Sequence, residues 1–219
     1  MIKSKREIEY LTAAADITKK IWAKVSKKIK PEATEKSIVR AIEENIARVN
    51  LKRSFKTIVA SGPNGAKPHA KPTERRIKNG DSVVVDFGVV YKGYHSDMTR
   101  TVFVGKPNKR MKKIYDIVKK AQEMAIKNVR SGIKISHLVA KVHDYIRGEK
   151  LGKYILHSLG HGLGRKIHEA PKLSEKNNGS LKRNMAITIE PGLYIEGLGG
   201  VRIEDMVLVG TGKPKVLTR

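Results

Sequence analysis

The sequence predicts an α+β fold of two similar halves, because one arrangement of helices, histidines and strands occurs twice along the chain. Each half begins with a pair of amphipathic helical segments and continues through a segment that ends in histidine. Each half then closes with a hairpin of strands that are rich in valine, isoleucine and threonine and carry acidic residues. We expect the halves to be related by a pseudo-twofold axis and to share one cleft.

The helices are predicted from apolar residues that recur at helical spacing. In the first half they cover about 7–49, and a proline-containing break separates two helices, the second of which Thr34 is expected to cap. In the second half they cover about 111–146, where Ser136 is the expected cap of the second helix. The two helix pairs therefore have matching lengths and matching breaks.

The strands are predicted from runs of β-branched residues bounded by glycine. Four segments have this character: 81–88 and 101–105 on either side of a turn near Lys92–Gly93, and 185–192 and 201–210 on either side of a turn near 197–200. No glycine- or proline-rich linker separates the halves. We therefore expect one catalytic domain over 1–219, with one half at about 1–108, the other at about 109–219, and no additional N-terminal domain.

Composition favours a soluble globular protein of the cytoplasm. The chain of 219 residues is long enough for one domain with a substantial core. It has no signal-like segment and no apolar run of about 18 residues, the length that a membrane helix needs. Cysteine is absent, so any metal site must use Asp, Glu and His.

The net charge of +25 has two interpretations. It can favour contact with nucleic acid, ribosomes or anionic surfaces. Alternatively, it reflects a lysine-rich surface set by genome composition or heat adaptation. Lysine pairs such as Lys27-Lys28 and Lys119-Lys120 are scattered along the predicted helices and form no long basic tract. We favour the second interpretation and do not favour a nucleic-acid or ribosome partner.

Each predicted hairpin carries two acids in apolar surroundings, Asp86 and Asp97 in the first half and Glu190 and Glu204 in the second. Burial of an ionised carboxylate is costly unless a cation or hydrogen-bond donors accompany it. If Asp97 is considered by itself, a structural ion pair is the favoured explanation. If Asp86 is considered by itself, a structural ion pair and a metal site are equally good explanations. Because both halves place acids at matching points, we favour a shared metal site. Strand alternation puts Arg202 on the face of Glu204, where it would hold a ligand acid ionised.

Histidines cluster in the second half at His157, His161 and His168, among glycines that allow close backbone approach. His69 is their counterpart in the first half. A lone histidine is more often structural, but three within twelve positions favour a functional site. Residues without such a context are expected to be structural or exposed: His95, His137, His143 and Asp205.

Four carboxylates and one imidazole form a set of hard ligands suited to Mn²⁺, Co²⁺, Fe²⁺ or Zn²⁺. Four negative charges in one cleft match two divalent ions better than one. We therefore expect two metal ions per chain, with Mn²⁺ or Co²⁺ favoured. Such a pair activates a nucleophilic water and polarises a carbonyl oxygen.

The chain resembles the pita-bread metallopeptidases, which include methionine aminopeptidase, aminopeptidase P, prolidase and their metal-free relative creatinase. The resemblance covers nearly all 219 residues. The segments that carry it are GYHSDMTRT (93–101), GHG (160–162), IHE (167–169), TIEPG (188–192) and GVRIED (200–205).

This resemblance implies a role for each candidate residue. The metal ligands would be Asp86, Asp97, His161, Glu190 and Glu204, with Asp97 and Glu204 bridging the two ions. Glu190 would also carry the proton. His168 would stabilise the tetrahedral oxyanion, and His69 would bind the substrate backbone near the scissile bond.

Within the family, His157, Arg202 and the segment 61–69 look like prolidase and aminopeptidase P. The resemblance therefore implies an exopeptidase that hydrolyses Xaa-Pro bonds at the free N-terminus of short peptides, and it allows a homodimer. Methionine aminopeptidase, which removes N-terminal Met, is the alternative enzyme, since it resembles the chain in length. A catalytically silent module that binds peptides or RNA is the alternative of another class. Retention of the complete ligand set argues against it.

Overall fold

The computed structural model describes residues 1–219 and contains four α-helices and thirteen β-strands. The helices are α1 (Lys5–Val25), α2 (Glu35–Ala47), α3 (Lys109–Asn128) and α4 (Ile135–Gly148). The strands are β1 (Lys52–Arg53), β2 (Ile58–Ser61), β3 (Ser82–Phe87), β4 (Val89–Tyr91), β5 (Tyr94–His95), β6 (Met98–Phe103), β7 (Gly160–Gly162), β8 (Glu169–Leu173), β9 (Ala186–Ile189), β10 (Gly192–Ile195), β11 (Gly199–Arg202), β12 (Asp205–Leu208) and β13 (Lys215–Val216). None of the helices combines the length and the apolar character that a membrane crossing requires.

The N-terminus of α2 begins where the sequence predicts. Thr34 is its N-cap, and the Thr34 hydroxyl accepts a hydrogen bond of 3.1 Å from the backbone N–H of Ser37. The N–H of Glu35, the first helical residue, donates to the carbonyl of Arg75 at 3.2 Å. These bonds satisfy N–H groups that have no partner within the helix.

The N-terminus of α4 differs from the prediction. Ser136 is not the cap, because the helix already begins at Ile135 and Lys134 occupies the cap position without a side-chain bond. The free N–H groups are satisfied instead by a neighbouring segment. Ile135 donates to the carbonyl of Gly179 at 2.9 Å, and Ser136 donates to that of Asn177 at 3.0 Å. A contact distant in sequence therefore replaces the local cap.

Two antiparallel sheets carry the four acids. In the first half β3 lies between β2 and β6, and in the second half the order is β13-β12-β9-β7-β8. Asp86 on β3 pairs with Thr99 on β6, and Glu190 directly follows β9. The N–H of Glu204 donates to the carbonyl of Thr99 at 3.1 Å and so connects the two sheets.

Both predicted hairpin turns are confirmed. Lys92 and Gly93 connect β4 to β5 with φ angles of 50° and 80°, the left-handed pair that a tight two-residue hairpin turn requires. Gly197, with φ of 72°, lies in the turn between β10 and β11.

The first arm of each predicted hairpin is divided into two strands next to its acid. The break between β3 and β4 is at Gly88, where a Cβ would overlap the carbonyl oxygen of Ser96. The break between β9 and β10 includes Pro191, which has no N–H to donate to a sheet. Both breaks lie within two residues of Asp86 or Glu190, so each acid stands where regular strand pairing stops.

The hydrophobic core follows the two halves. One cluster of 15 buried residues comes from the first half, and another of 24 comes from the second. A third cluster of six residues places Leu11 and Ala15 of α1 against second-half residues such as Leu163 and Met206. Because Ala14 and Ile21 of the same helix belong to the first-half cluster, the first helix packs on both halves.

Truncation of the second core should destabilise the protein measurably. Leu138 on α4 is 1% exposed, and Leu138→Ala should lower the free energy of unfolding by about 2–5 kcal/mol because it leaves a cavity. Denaturant unfolding measures this change. Val49→Ala is the control, since Val49 is 48% exposed and its loss should change stability by less than about 0.5 kcal/mol. Equal effects of the two substitutions would contradict the assigned core.

Candidate metal centre

A cavity of about 1020 Å³ opens between the two halves. Its wall contains every residue that the sequence predicts for the site: His69, Asp86, Asp97, His157, His161, His168, Glu190, Arg202 and Glu204. The residues His95, His137, His143 and Asp205 do not line it. Asp205 is buried and bonded to Arg100 and Arg219, in agreement with the structural role expected of it.

The four acids reach the cavity from four different points of the sheets. Asp86 is on β3, Asp97 precedes β6, Glu190 follows β9, and Glu204 lies between β11 and β12. Asp86, Asp97 and Glu204 are each at most 8% exposed. The acids are therefore held on or beside rigid strands and are largely withdrawn from water.

His161 stands among these carboxylates. Its Nε2 atom lies 3.6 Å from Oδ2 of Asp97 and 3.4 Å from Oε1 of Glu190. Ligand atoms of Asp97, His161 and Glu204 all lie within 4.8 Å of one another, which is a separation that one ion can span. The Nδ1 atom is 3.0 Å from the carbonyl oxygen of Gly162, and as an N–H donor there it would leave Nε2 free to bind a metal.

The electrostatics of the cavity oppose ionisation of its acids. The pKa values of Asp97 and Glu204 are raised well above the ordinary values. Burial is the main cause, and repulsion from neighbouring carboxylates is the second. Burial also raises the pKa of Glu190 to about 7. The same burial lowers the pKa of His161 to about 4, so this imidazole is neutral near neutral pH. The protein alone therefore supplies too little positive charge for four carboxylates.

Arg202 is the positive charge that the chain does provide. Its side chain is 4% exposed, and Nη2 donates to Oδ2 of Asp86 at 2.7 Å. Its Nε donates to the hydroxyl of Thr99 at 3.1 Å, and that hydroxyl donates to Oε2 of Glu204 at 2.7 Å. One guanidinium thus contacts one acid directly and a second through Thr99.

The donor set fits divalent cations. Oδ1 of Asp86 is buried and has no hydrogen-bond partner, which is costly unless something else binds it. Arg202 compensates one of the four negative charges that full ionisation would create, and three remain. Oxygen atoms with one neutral imidazole are the ligands that Mn²⁺, Co²⁺ and related ions accept.

The other three histidines surround the acids. His157 has Nδ1 2.8 Å from the carbonyl oxygen of Ser158 and Nε2 2.8 Å from the hydroxyl of Tyr194. Burial lowers the pKa of His157 to about 4. The ring of His168 lies 4.3 Å from that of His161, measured between centroids, and His69 is exposed and also lines the cavity.

Tyr194, Thr99 and Thr188 are part of the centre but are absent from the sequence-based set. Tyr194 accepts a hydrogen bond of 2.7 Å from Nη1 of Arg202, and Thr188 donates to Oε1 of Glu190 at 3.1 Å. Tyr194 carries a sequence signal, since a phenol inside an apolar strand needs a buried partner. The threonines carry none, because threonine is common in any strand.

Comparison with known proteins identifies relatives over the whole chain. The chain is 41% identical to the Xaa-Pro dipeptidase of Pyrococcus furiosus, an alignment that covers 100% of this chain and 63% of that protein. The chain thus spans less than two thirds of the length of this relative.

Solved structures agree with the sequence comparison. The prolidase from Pyrococcus furiosus superposes with a TM-score of 0.97 at 40% identity, over 100% of this chain and 65% of that one. The X-Pro aminopeptidase from Thermotoga maritima superposes with a TM-score of 0.96 at 36% identity, over 100% of this chain and 62% of that one. These matches confirm the pita-bread fold expected from the sequence.

The model of metallopeptidase family M24 matches residues 9–211, which includes both halves and every residue of the cavity discussed above. The family resemblance inferred from the motifs is therefore confirmed, and divalent metal ions are implied by the family. The chain belongs to metallopeptidase family M24.

Proposed function

We propose that the chain hydrolyses Xaa-Pro bonds at the free N-terminus of short peptides and uses two divalent metal ions to do so. The observation that carries the proposal is the convergence of four acids and His161 in one cavity of an M24 metallopeptidase. Relatives that this chain matches over its full length are named Xaa-Pro dipeptidase, prolidase and X-Pro aminopeptidase. These relatives are longer than this chain, so the substrate class that their names give is a proposal for this chain.

In this proposal the metal ligands are Asp86, Asp97, His161, Glu190 and Glu204. The charge of the site supports two ions. Arg202 offsets one of the four carboxylate charges, and one divalent cation would not neutralise the three that remain. Mn²⁺ or Co²⁺ is the favoured pair, with Fe²⁺ or Zn²⁺ as alternatives. When bound, the ions would lower the pKa of the attacking water and polarise the scissile carbonyl.

Glu190 is the proposed proton carrier of the reaction. Its Oε1 atom lies 3.4 Å from Nε2 of His161, beside the place where the ions and the attacking water would bind, so this carboxylate can accept a proton from that water and return it. Its Oε1 accepts a hydrogen bond from Thr188, which fixes the carboxylate in the cavity. Transfer of a proton from the water to the leaving nitrogen needs a fixed group that can take up a proton and release it again.

Three histidines are proposed to bind the substrate. All three stand around the acids, and the rings of His168 and His69 can donate N–H groups to peptide carbonyl oxygens. His168 would face the oxyanion that develops at the scissile carbonyl. His157 is held by Tyr194, so its ring has one orientation before any substrate arrives.

A three-peptide panel tests the substrate class. The protein loaded with Mn²⁺ or Co²⁺ should cleave Met-Pro or Ala-Pro-Ala and leave Met-Ala-Ala intact, because the substrate class proposed from its relatives has proline after the scissile bond. Product release measured by chromatography gives the answer. Cleavage of Met-Ala-Ala alone would favour a methionine aminopeptidase instead. No cleavage with any metal, together with salt-sensitive RNA binding, would favour a binding module.

Replacement of Glu190 should abolish most turnover without unfolding the protein. Glu190→Gln keeps the shape of the side chain but removes the group that accepts the proton, so kcat should fall about 100-fold or more. Circular dichroism checks the fold, and steady-state kinetics measures kcat. Glu196→Gln is the matched control, because Glu196 is exposed in the adjacent hairpin. Near-normal turnover in Glu190→Gln would contradict the assigned role.

Metal binding should release protons near neutral pH. The raised pKa values of Asp97, Glu190 and Glu204 keep protons on the metal-free acids, and divalent ions bind the ionised forms. His161 contributes no proton, because its lowered pKa leaves it neutral. Calorimetry of Mn²⁺ binding in two buffers should show release of about one proton or more at about pH 6.5, and affinity should rise with pH. A binding enthalpy independent of the buffer would contradict the shifted pKa values.

A further inference from the structure

A buried carboxylate outside the metal centre has more hydrogen-bond donors than any of the four acids. Glu35, the first residue of α2, is fully buried and accepts five hydrogen bonds. Its Oε1 accepts from the backbone N–H and the hydroxyl of Ser61, at 2.7 and 2.8 Å. Its Oε2 accepts from the side-chain amide of Asn64 and from both the N–H and the hydroxyl of Thr73, at 2.8–2.9 Å.

Four of these five bonds come from the two ends of one segment, and the fifth comes from Asn64 within it. Ser61 precedes residues 62–72 and Thr73 follows them, so one carboxylate closes the segment into a loop. The loop carries His69 into the cavity wall. At its far side the carbonyl of Pro68 accepts a bond of 3.1 Å from Nη1 of Arg202.

The internal repeat shows that the fold itself does not need an acid at this position. Ile135 is the equivalent residue of the second half, because it also begins a helix. Its N–H donates to the carbonyl of Gly179, as the N–H of Glu35 donates to that of Arg75. The next residues agree as well, because Lys36 donates to the carbonyl of Thr73 as Ser136 does to that of Asn177. The backbone bonds are thus shared, whereas the carboxylate is found only in the half that carries the His69 loop.

We propose that Glu35 is a positioning residue that holds the loop 62–72, and with it His69, in the place that substrate binding requires. The inference rests on the proposed function, in which His69 binds the substrate backbone. An ionised carboxylate can accept at both oxygens, so it can bind both ends of the loop at once. A glutamine at this position has one acceptor oxygen and one N–H₂ group, so one end of the loop loses its partner.

The test compares Glu35→Gln with Glu74→Gln. Glu74 is the matched control because it adjoins Thr73, is exposed, and contacts only the exposed Lys36 among basic residues. In Glu35→Gln we expect faster hydrogen exchange confined to residues 61–73, an unchanged metal content, and a loss in kcat/KM of about 10- to 100-fold. The control should match the wild type in all three measurements.

A double-mutant cycle with His69→Ala separates positioning from general destabilisation. If Glu35 acts through His69, then Glu35→Gln should cost less than about threefold in kcat/KM once His69 is absent. Additive losses would overturn the proposal, as would unchanged exchange in the loop or faster exchange throughout the protein. If Glu35→Gln does not fold, Thr73→Val removes one donor and should show a smaller change of the same pattern. Wild-type protein that cleaves no peptide would refute the proposed function, while the exchange data would still decide whether Glu35 holds the loop.

Discussion

Repulsion among four carboxylates in one buried cavity is the interaction on which the rest of the structure depends. Asp86, Asp97, Glu190 and Glu204 are withdrawn from water, and a single guanidinium, that of Arg202, offsets them. Burial and the neighbouring carboxylates raise the pKa values of Asp97 and Glu204, and burial raises that of Glu190, so these three acids resist ionisation without further positive charge. Such a cluster costs stability unless cations complete it, which agrees with the divalent ions that family M24 implies.

The duplicated architecture explains how the chain builds this cluster. Each half supplies two acids beside an interrupted strand, and the connection between Glu204 and Thr99 joins the halves at the cavity. What differs between the halves is then informative. Glu35 stands where the other half has Ile135, and the difference lies beside the loop that bears His69. The repeat provides the scaffold, and the departure at Glu35 makes the two sides of the cavity different.

Much of the fold and of the centre could be predicted from local sequence. Apolar residues at helical spacing and strands bounded by glycine were sufficient to predict that the fold has two similar halves. Acids inside apolar runs were sufficient to select residues that share one cavity. Features that depend on distant partners were missed. The start of α4 relies on the carbonyl of Gly179 rather than on Ser136, and Tyr194 acquires its role only through Arg202 and His157. In the local sequence Glu35 looks like an ordinary acid in the first turn of a helix, because its five hydrogen-bond donors belong to residues 26 to 38 positions away.

Anomalous diffraction from crystals soaked in Mn²⁺ tests the central claim most directly. We expect two manganese peaks in the cavity, in contact with the proposed ligands Asp86, Asp97, His161, Glu190 and Glu204. Peaks only at the protein surface, or a single ion that leaves Asp86 or Glu190 without contact, would contradict it.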